Sequence, residues 1–166
     1  MNSKQIVAAL SVVALVIIII NPAASTGTIV IRLTSMKLES ADHAYVTING
    51  IWVHQKGHSN VEGWKPVYNL TQTIDLVHPE NSSKTLPGVQ LSVLSYDAIK
   101  VQFSDVSWVL NKNNTRLVPQ PSQLSANIDF TVQAGKESTL SLLISGHRED
   151  VSGTGVFIGA LTVTAP

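Results

Sequence analysis

From Leu124 to Val132 every second residue is apolar: Leu124, Ala126, Ile128, Phe130 and Val132 alternate with Ser125, Asn127, Asp129 and Thr131. A period of two puts all five apolar side chains on one face of an extended chain, whereas the 3.6-residue turn of a helix would scatter them around its axis. The same alternation recurs along the sequence, and no stretch after residue 25 carries the spacing of three and four that a helix needs to bury one side. The chain must therefore be built from strands, each with one face in a shared core.

Those strands can be placed roughly. Ile29, Ile31 and Leu33 oppose Val30, Arg32 and Thr34 in a first strand, and Ala44 to His54 forms a second, in which Gly50 shifts the phase and predicts a bulge. Gln55 to Gly63 is a polar loop; Trp64 to Leu70, Thr73 to Val77 and Leu86 to Leu94 are shorter runs. Ala98 to Asn111 is a long strand with a change of phase between Phe103 and Val106, again predicting a bulge or bend. Lys112 to Thr115 is expected to turn that strand into a short one at Arg116 to Val118, and Ala134-Gly135-Lys136 to turn the 124–132 strand back as a hairpin onto Leu140, Leu142 and Ile144. Val156 to Thr164 is the last strand. The expected fold is all-β, an antiparallel β-sandwich of about eight or nine strands, with a barrel as the alternative.

Ahead of these strands, residues 1–25 differ in kind. Lys4 gives a positive start, the run from Gln5 to Ile20 is apolar apart from Gln5 and Ser11, and Asn21-Pro22 ends it. An apolar core of roughly 15 residues suits a signal peptide, being shorter than the about 20 that cross a bilayer comfortably. Ala23-Ala24-Ser25 offers the small residues that a signal peptidase reads, which would start the mature chain near Thr26. A retained anchor and a pilin-type leader cut near Lys4 are the alternatives, the last one opposed by the absence of a glycine at Ser3-Lys4-Gln5. The expected division is thus a signal or anchor at 1–25 and one β-sandwich domain at 26–166, exported and extracellular, with membrane contact only through residues 5–20 if the leader is uncleaved. Three glycosylation triplets fit export, at Asn69, Asn81 and Asn113.

Composition removes several functions. Eleven basic side chains balance eleven acidic ones, and loss of Lys4 with the leader would leave ten against eleven. No basic cluster is present to displace the counterions of a nucleic acid, so that partner is excluded. The sequence has no cysteine, which removes disulfides, thiolate metal sites and a cysteine nucleophile.

Six segments, in order and at their spacing, resemble an exported archaeal and bacterial family of unknown function, the one numbered forty-three eighty-two. They are Gly27 to Thr34, Ala44 to His54, Gly63 to Val67, Thr73 to Leu76, Tyr96 to Phe103 and Phe130 to Leu140. The resemblance implies an immunoglobulin-like or transthyretin-like sandwich on a cell surface, with no established activity. Ser35-Met36-Lys37 replaces the acidic Asp-Ala-Pro-like turn that the family tends to carry after its first strand, so a cation role for that turn does not transfer.

No catalytic set, cofactor motif or enzymatic activity is read in the chain. A nucleophile elbow of the Gly-x-Ser-x-Gly type is absent, and His147 to Asp150 lacks the second histidine of a zinc protease and is expected in a solvated loop. Gly135-Lys136-Glu137-Ser138 lacks the upstream glycine of a phosphate loop. His54 and His58 are the candidate metal ligands, with His43 or His78 to be brought near by folding; the competing expectation is that they are loop histidines at the surface, with Lys56 between them repelling a cation. Trp52, Trp64 and Trp108 are either a platform for stacking sugars or members of the core and its rim.

Two functions follow. One is a non-catalytic structural or adhesive surface protein, a filament subunit assembling by donation of its N-terminal strand, with Ile29, Ile31 and Leu33 as the donated side chains. Its partners would be further copies of itself or other cell-surface proteins. The alternative is a surface-anchored module that binds a metal or a glycan through the His54–His58 loop or an exposed tryptophan.

Overall fold

Two long strands carry the architecture because their alternation is unbroken except at bulges. In the computed structural model, which describes residues 25–35, 41–69, 71–78 and 84–165, these are β2 (His43–Gln55) and β7 (Ser95–Leu110), paired antiparallel along their length. The expected phase shifts are both present in this ladder: Thr47 faces Asp105 and Ile48 faces Phe103, so Ser104 is left over, and the next register step falls between Ile48 and Gly50. Gly50 is required there by close approach. A Cβ at this position would lie 2.1 Å from Cη2 of Trp52, whose ring lies across the glycine.

Around this pair the chain builds two sheets. On the β2 edge sit β3 (Trp64–Tyr68) and β4 (Gln72–Asp75). The opposite edge of β7 pairs with β9 (Gln123–Thr131) along its first half and with β8 (Asn113–Gln120) along its second. The second sheet is centred on β1 (Thr26–Ser35) and β10 (Glu137–Val151), flanked by β5 (Lys84–Thr85) and β6 (Val89–Ser92) on one side and β11 (Thr154–Thr164) on the other. Strand β8 belongs to both, since Asn113 to Leu117 pair with β7 and Val118 to Gln120 pair with β11. The inner faces meet in one core, with Ile29, Ile31, Leu33, Leu140, Leu142 and Ile144 packed against Val46, Ile51, Val53, Ile99, Val101 and Val106.

The all-β sandwich is thus as expected, with informative differences. Eleven strands are present among the described residues rather than eight or nine. The run Leu86 to Leu94 is broken because Pro87, which has no N–H to give a ladder, lies between β5 and β6. Not every pairing is antiparallel: β1 runs parallel to β10, and β8 parallel to β11. The first of these follows from the turn at Ala134 to Lys136, which is a corner between sheets and not a hairpin. Gly135 (φ 64°) and Lys136 lie beside the start of β1, with Gly135 N–H donating to the Thr26 carbonyl and Thr28 N–H to that of Lys136, so β10 departs alongside β1.

Two further turns are corrected. The β7–β8 turn is Asn111-Lys112, both at positive φ (52° and 66°), with Leu110 facing Asn113, so the turn starts one residue before the expected Lys112–Thr115 segment and ends at its first residue. Two residues of left-handed backbone match the twist of paired strands, and they fix this register. His147 to Asp150 is no loop but the end of β10, paired with β11 up to a second such turn at Ser152-Gly153. Residues 1–24, Met36-Lys37 and Asn81 lie outside the described residues, and the expectations for a leader, for that turn and for that glycosylation triplet lie there with them.

Candidate functional site

At its far end β2 turns its outward face toward a folded-back loop. Trp52 and His54 point outward while Ile51 and Val53 enter the core, and across the ladders Trp52 faces Lys100, His54 faces Ala98 on β7 and Trp64 on β3, and Ala98 faces Asn127 on β9. The outer face of this sheet is therefore a row of aromatic and polar side chains. The Lys100 ammonium sits over both half-buried indoles, 5.1 Å from the centre of Trp52 and 4.5 Å from that of Trp64.

The loop at 56–63 covers His54 and makes the wall of a cleft. Gln55 N–H donates to the Gly63 carbonyl at 2.8 Å, Trp64 Nε1–H to that of Asn60 at 2.9 Å, and Lys56 Nζ to Asp129 Oδ1 on β9 at 2.7 Å. His54 is no surface-loop residue: it is 4% exposed, and both ring nitrogens are engaged. Nδ1–H donates to Asp97 Oδ1 at 2.6 Å and Nε2–H to the Ser59 carbonyl at 3.0 Å. The Ser59 carbonyl first and then the Asp97 carboxylate hold the imidazolium form and raise the pKa of His54 above its ordinary value, against burial, which lowers it. Gly63 is needed beside it, since a Cβ there would stand 2.3 Å from His54 Nε2.

The cleft so formed has a volume of about 680 Å3 and is open to solvent on one side, with Trp64 as its apolar wall and His58, Asn60, Ser125, Asn127 and Asp129 among its polar ones. Its charges pair internally, Lys56 with Asp129 and His54 with Asp97. What remains is a hydrogen-bonding surface beside an indole, suited to a neutral polyhydroxylated molecule and not to an ion of either sign.

The histidines divide between two places. His54 and His58 border the cleft. His43 lies at the other end of the 13-residue β2, a separation of roughly 35 Å from His54 at about 3.3 Å a residue, and there it meets His78. His43, Asp75 and His78 each offer a ligand atom, and the three lie within 4.8 Å of one another. Asn69 and Asn113 are exposed, as glycosylation requires. Trp108 belongs to the core at 2% exposure. Ile29, Ile31 and Leu33 are fully buried in their own sheet, between β10 and the β5–β6 edge.

Sequence reasoning passed over Asp75, Asp97, Lys100, Asn127 and Asp129. One signal for two of them was in plain view: Asn127 and Asp129 are the polar half of the strand with the cleanest alternation, and a polar face that regular is itself a surface of one kind. Asp75 and Asp97 carry no such signal, because their partners are set by strand register.

Comparison with known proteins adds a family and little more. The family described as "Domain of unknown function (DUF4382)" matches residues 26–148. No curated protein matches the chain. Among solved structures, a leucine-rich repeat protein from Bacteroides thetaiotaomicron VPI-5482 is similar over 70% of this chain at 14% identity, with a TM-score of 0.29. The matched part is 13% of that protein's length, and a likeness this slight carries no argument.

Proposed function

The chain belongs to the DUF4382 family, and from that premise we propose that it is an exported surface module that binds neutral saccharide chains in the cleft beside Trp64. One observation carries this function: an indole lines an open cleft together with side chains that both donate and accept, and the charges of that cleft are already paired. A sugar ring presents C–H groups to an aromatic face and hydroxyls around its rim, which is the same division of surface. Asn60, Asn127 and Ser125 would meet the hydroxyls. A rigid sheet holds most of these groups, so little ordering is needed on binding.

Calorimetric titration of the full chain with a panel of neutral oligosaccharides tests this. The expected result is binding by at least one of them, reduced about tenfold or more in Trp64→Ala. Absence of binding across the panel, or undiminished binding in Trp64→Ala, overturns it.

A structural subunit assembling by strand exchange is the second proposal, supported by the position of β1. This is the first strand among the described residues, and it is held by ladders on both sides, eight pairs to β10 and the rest to β5 and β6, and by Ile29, Ile31 and Leu33 in the core. An identical β1 from a neighbouring copy would find the same partners in the same register. A ladder of oligomers in unboiled surface extract is expected, and a single monomer band together with bare cells in electron microscopy would overturn it.

A further inference from the structure

At the end of β2 away from the cleft, three side chains from separate parts of the chain converge. His43 begins β2, Asp75 ends β4, and His78 follows three residues later. His43 Nδ1 and Asp75 Oδ2 are 2.7 Å apart, the rings of His43 and His78 have centres 5.0 Å apart, and one ligand atom from each residue lies within 4.8 Å of the others. We infer that His43, Asp75 and His78 form a binding site for a divalent transition metal ion of the zinc class, separate from the saccharide cleft.

The donor set fits that class. Two imidazoles and a carboxylate are the ligands of borderline ions, while calcium and magnesium require a shell of oxygens that this site does not offer. At metal–ligand distances of about 2.0 to 2.2 Å, tetrahedral neighbours stand about 3.3 Å apart. The His43–Asp75 contact therefore has to open by about half an ångström, and the 4.8 Å spread has to close; the His43 side chain is 41% exposed, and His78 lies in the segment after β4, outside any strand. The ion takes the place of the proton on His43 Nδ1, which passes to solvent.

The outer contacts support the same assignment. Asp75 is oriented by backbone, its Oδ1 accepting from the N–H groups of Ala44 at 3.2 Å and Val77 at 3.0 Å, which leaves Oδ2 directed at His43. His78 Nε2–H donates to the Asp42 carbonyl at 3.2 Å. Ligands fixed by such second contacts lose less freedom when an ion arrives. The site also has a structural consequence: an ion would tie the segment after β4 to the first residue of β2.

The test is titration of the full chain with Zn2+, with Ca2+ in parallel, followed by calorimetry and thermal melting. One Zn2+ is expected per chain at this site, with a rise in Tm and no response to Ca2+. His78→Ala should weaken Zn2+ binding at least about tenfold, His43→Ala with His78→Ala should abolish it, and His58→Ala should leave it unchanged. Because His78 is partly exposed and outside any strand, its replacement leaves a folded protein to measure. Co2+ substituted for Zn2+ should give the visible bands of a four-coordinate nitrogen and oxygen site. No Zn2+ binding, binding that survives the double replacement, or binding lost in His58→Ala would each overturn the inference. The saccharide titration with Trp64→Ala is independent of all these outcomes.

Discussion

His54 Nδ1 and Asp97 Oδ1 lie 2.6 Å apart across the β2–β7 ladder, beneath a loop whose Ser59 carbonyl takes the other ring nitrogen. Both nitrogens face acceptors, so the doubly protonated ring is the form that satisfies every partner. His54 thus joins Gln55, Lys56 and Trp64 in holding the loop that walls the cleft.

A dependence on pH follows, with a definite sign. The folded pKa of His54 is raised, chiefly by Ser59 and then Asp97, above the ordinary 6.5 of the unfolded chain. The folded state thus holds a proton that the unfolded state releases; the stabilisation is fully present below 6.5 and is lost as pH rises through the folded value. Nuclear magnetic resonance titration should show His54 titrating above 6.5. Thermal melts of the parent against His54→Gln should show the parent's advantage shrinking as pH rises through that window. A His54 titration at or below the ordinary value would contradict this.

Gly63→Ala should disturb the same contact from the other side. Its Cβ would sit 2.3 Å from His54 Nε2, and neither the buried ring nor the paired backbone can retreat freely. A loss of about 1 to 3 kcal/mol is expected, read from urea unfolding, together with a shift in the His54 resonances.

In the core, Ile31→Ala removes a fully buried side chain from the centre of β1 and leaves a cavity between the sheets. The expected cost is about 2 to 5 kcal/mol. Val61→Ala is the matched control: Val61 is 86% exposed on the loop, and its replacement should change stability by less than about 0.5 kcal/mol. Equal effects from the two would contradict the burial of β1.

Lys112→Gly should stabilise the protein. Asn111 and Lys112 both adopt left-handed backbone, at φ 52° and 66°, and a lysine there carries a steric cost that glycine does not. Asn-Gly is the favoured pair for this turn. A gain of about 0.5 to 1 kcal/mol is expected by urea unfolding, after the greater freedom of glycine in the unfolded chain is counted against it.

Much of the fold was legible because alternation is a local property. The strands at Leu124 to Val132 and Ala44 to His54 and the two phase shifts in the long ladder can be read from neighbours in sequence. The turn at Asn111-Lys112 is not legible in the sequence because Asn113 and Asn114 tolerate left-handed backbone as well, and only the register of β7 on β8 chooses between them. His147 to Asp150 looked like a loop for a related reason: an exposed, charged strand end has no apolar period, and cross-strand pairing with β11 alone makes it a strand.

The histidines mark the boundary most clearly. The sequence by itself determined that the regular elements of the described residues are strands, that the chain's charges balance and that no cysteine chemistry is open to it. The tertiary structure alone decided that β1 lies parallel to β10, that His54 belongs with Asp97 and Trp64, and that His43 belongs with Asp75 and His78. The physical reason is that alternation fixes which face a side chain takes, while pairing register and sheet order fix which distant residue stands opposite it.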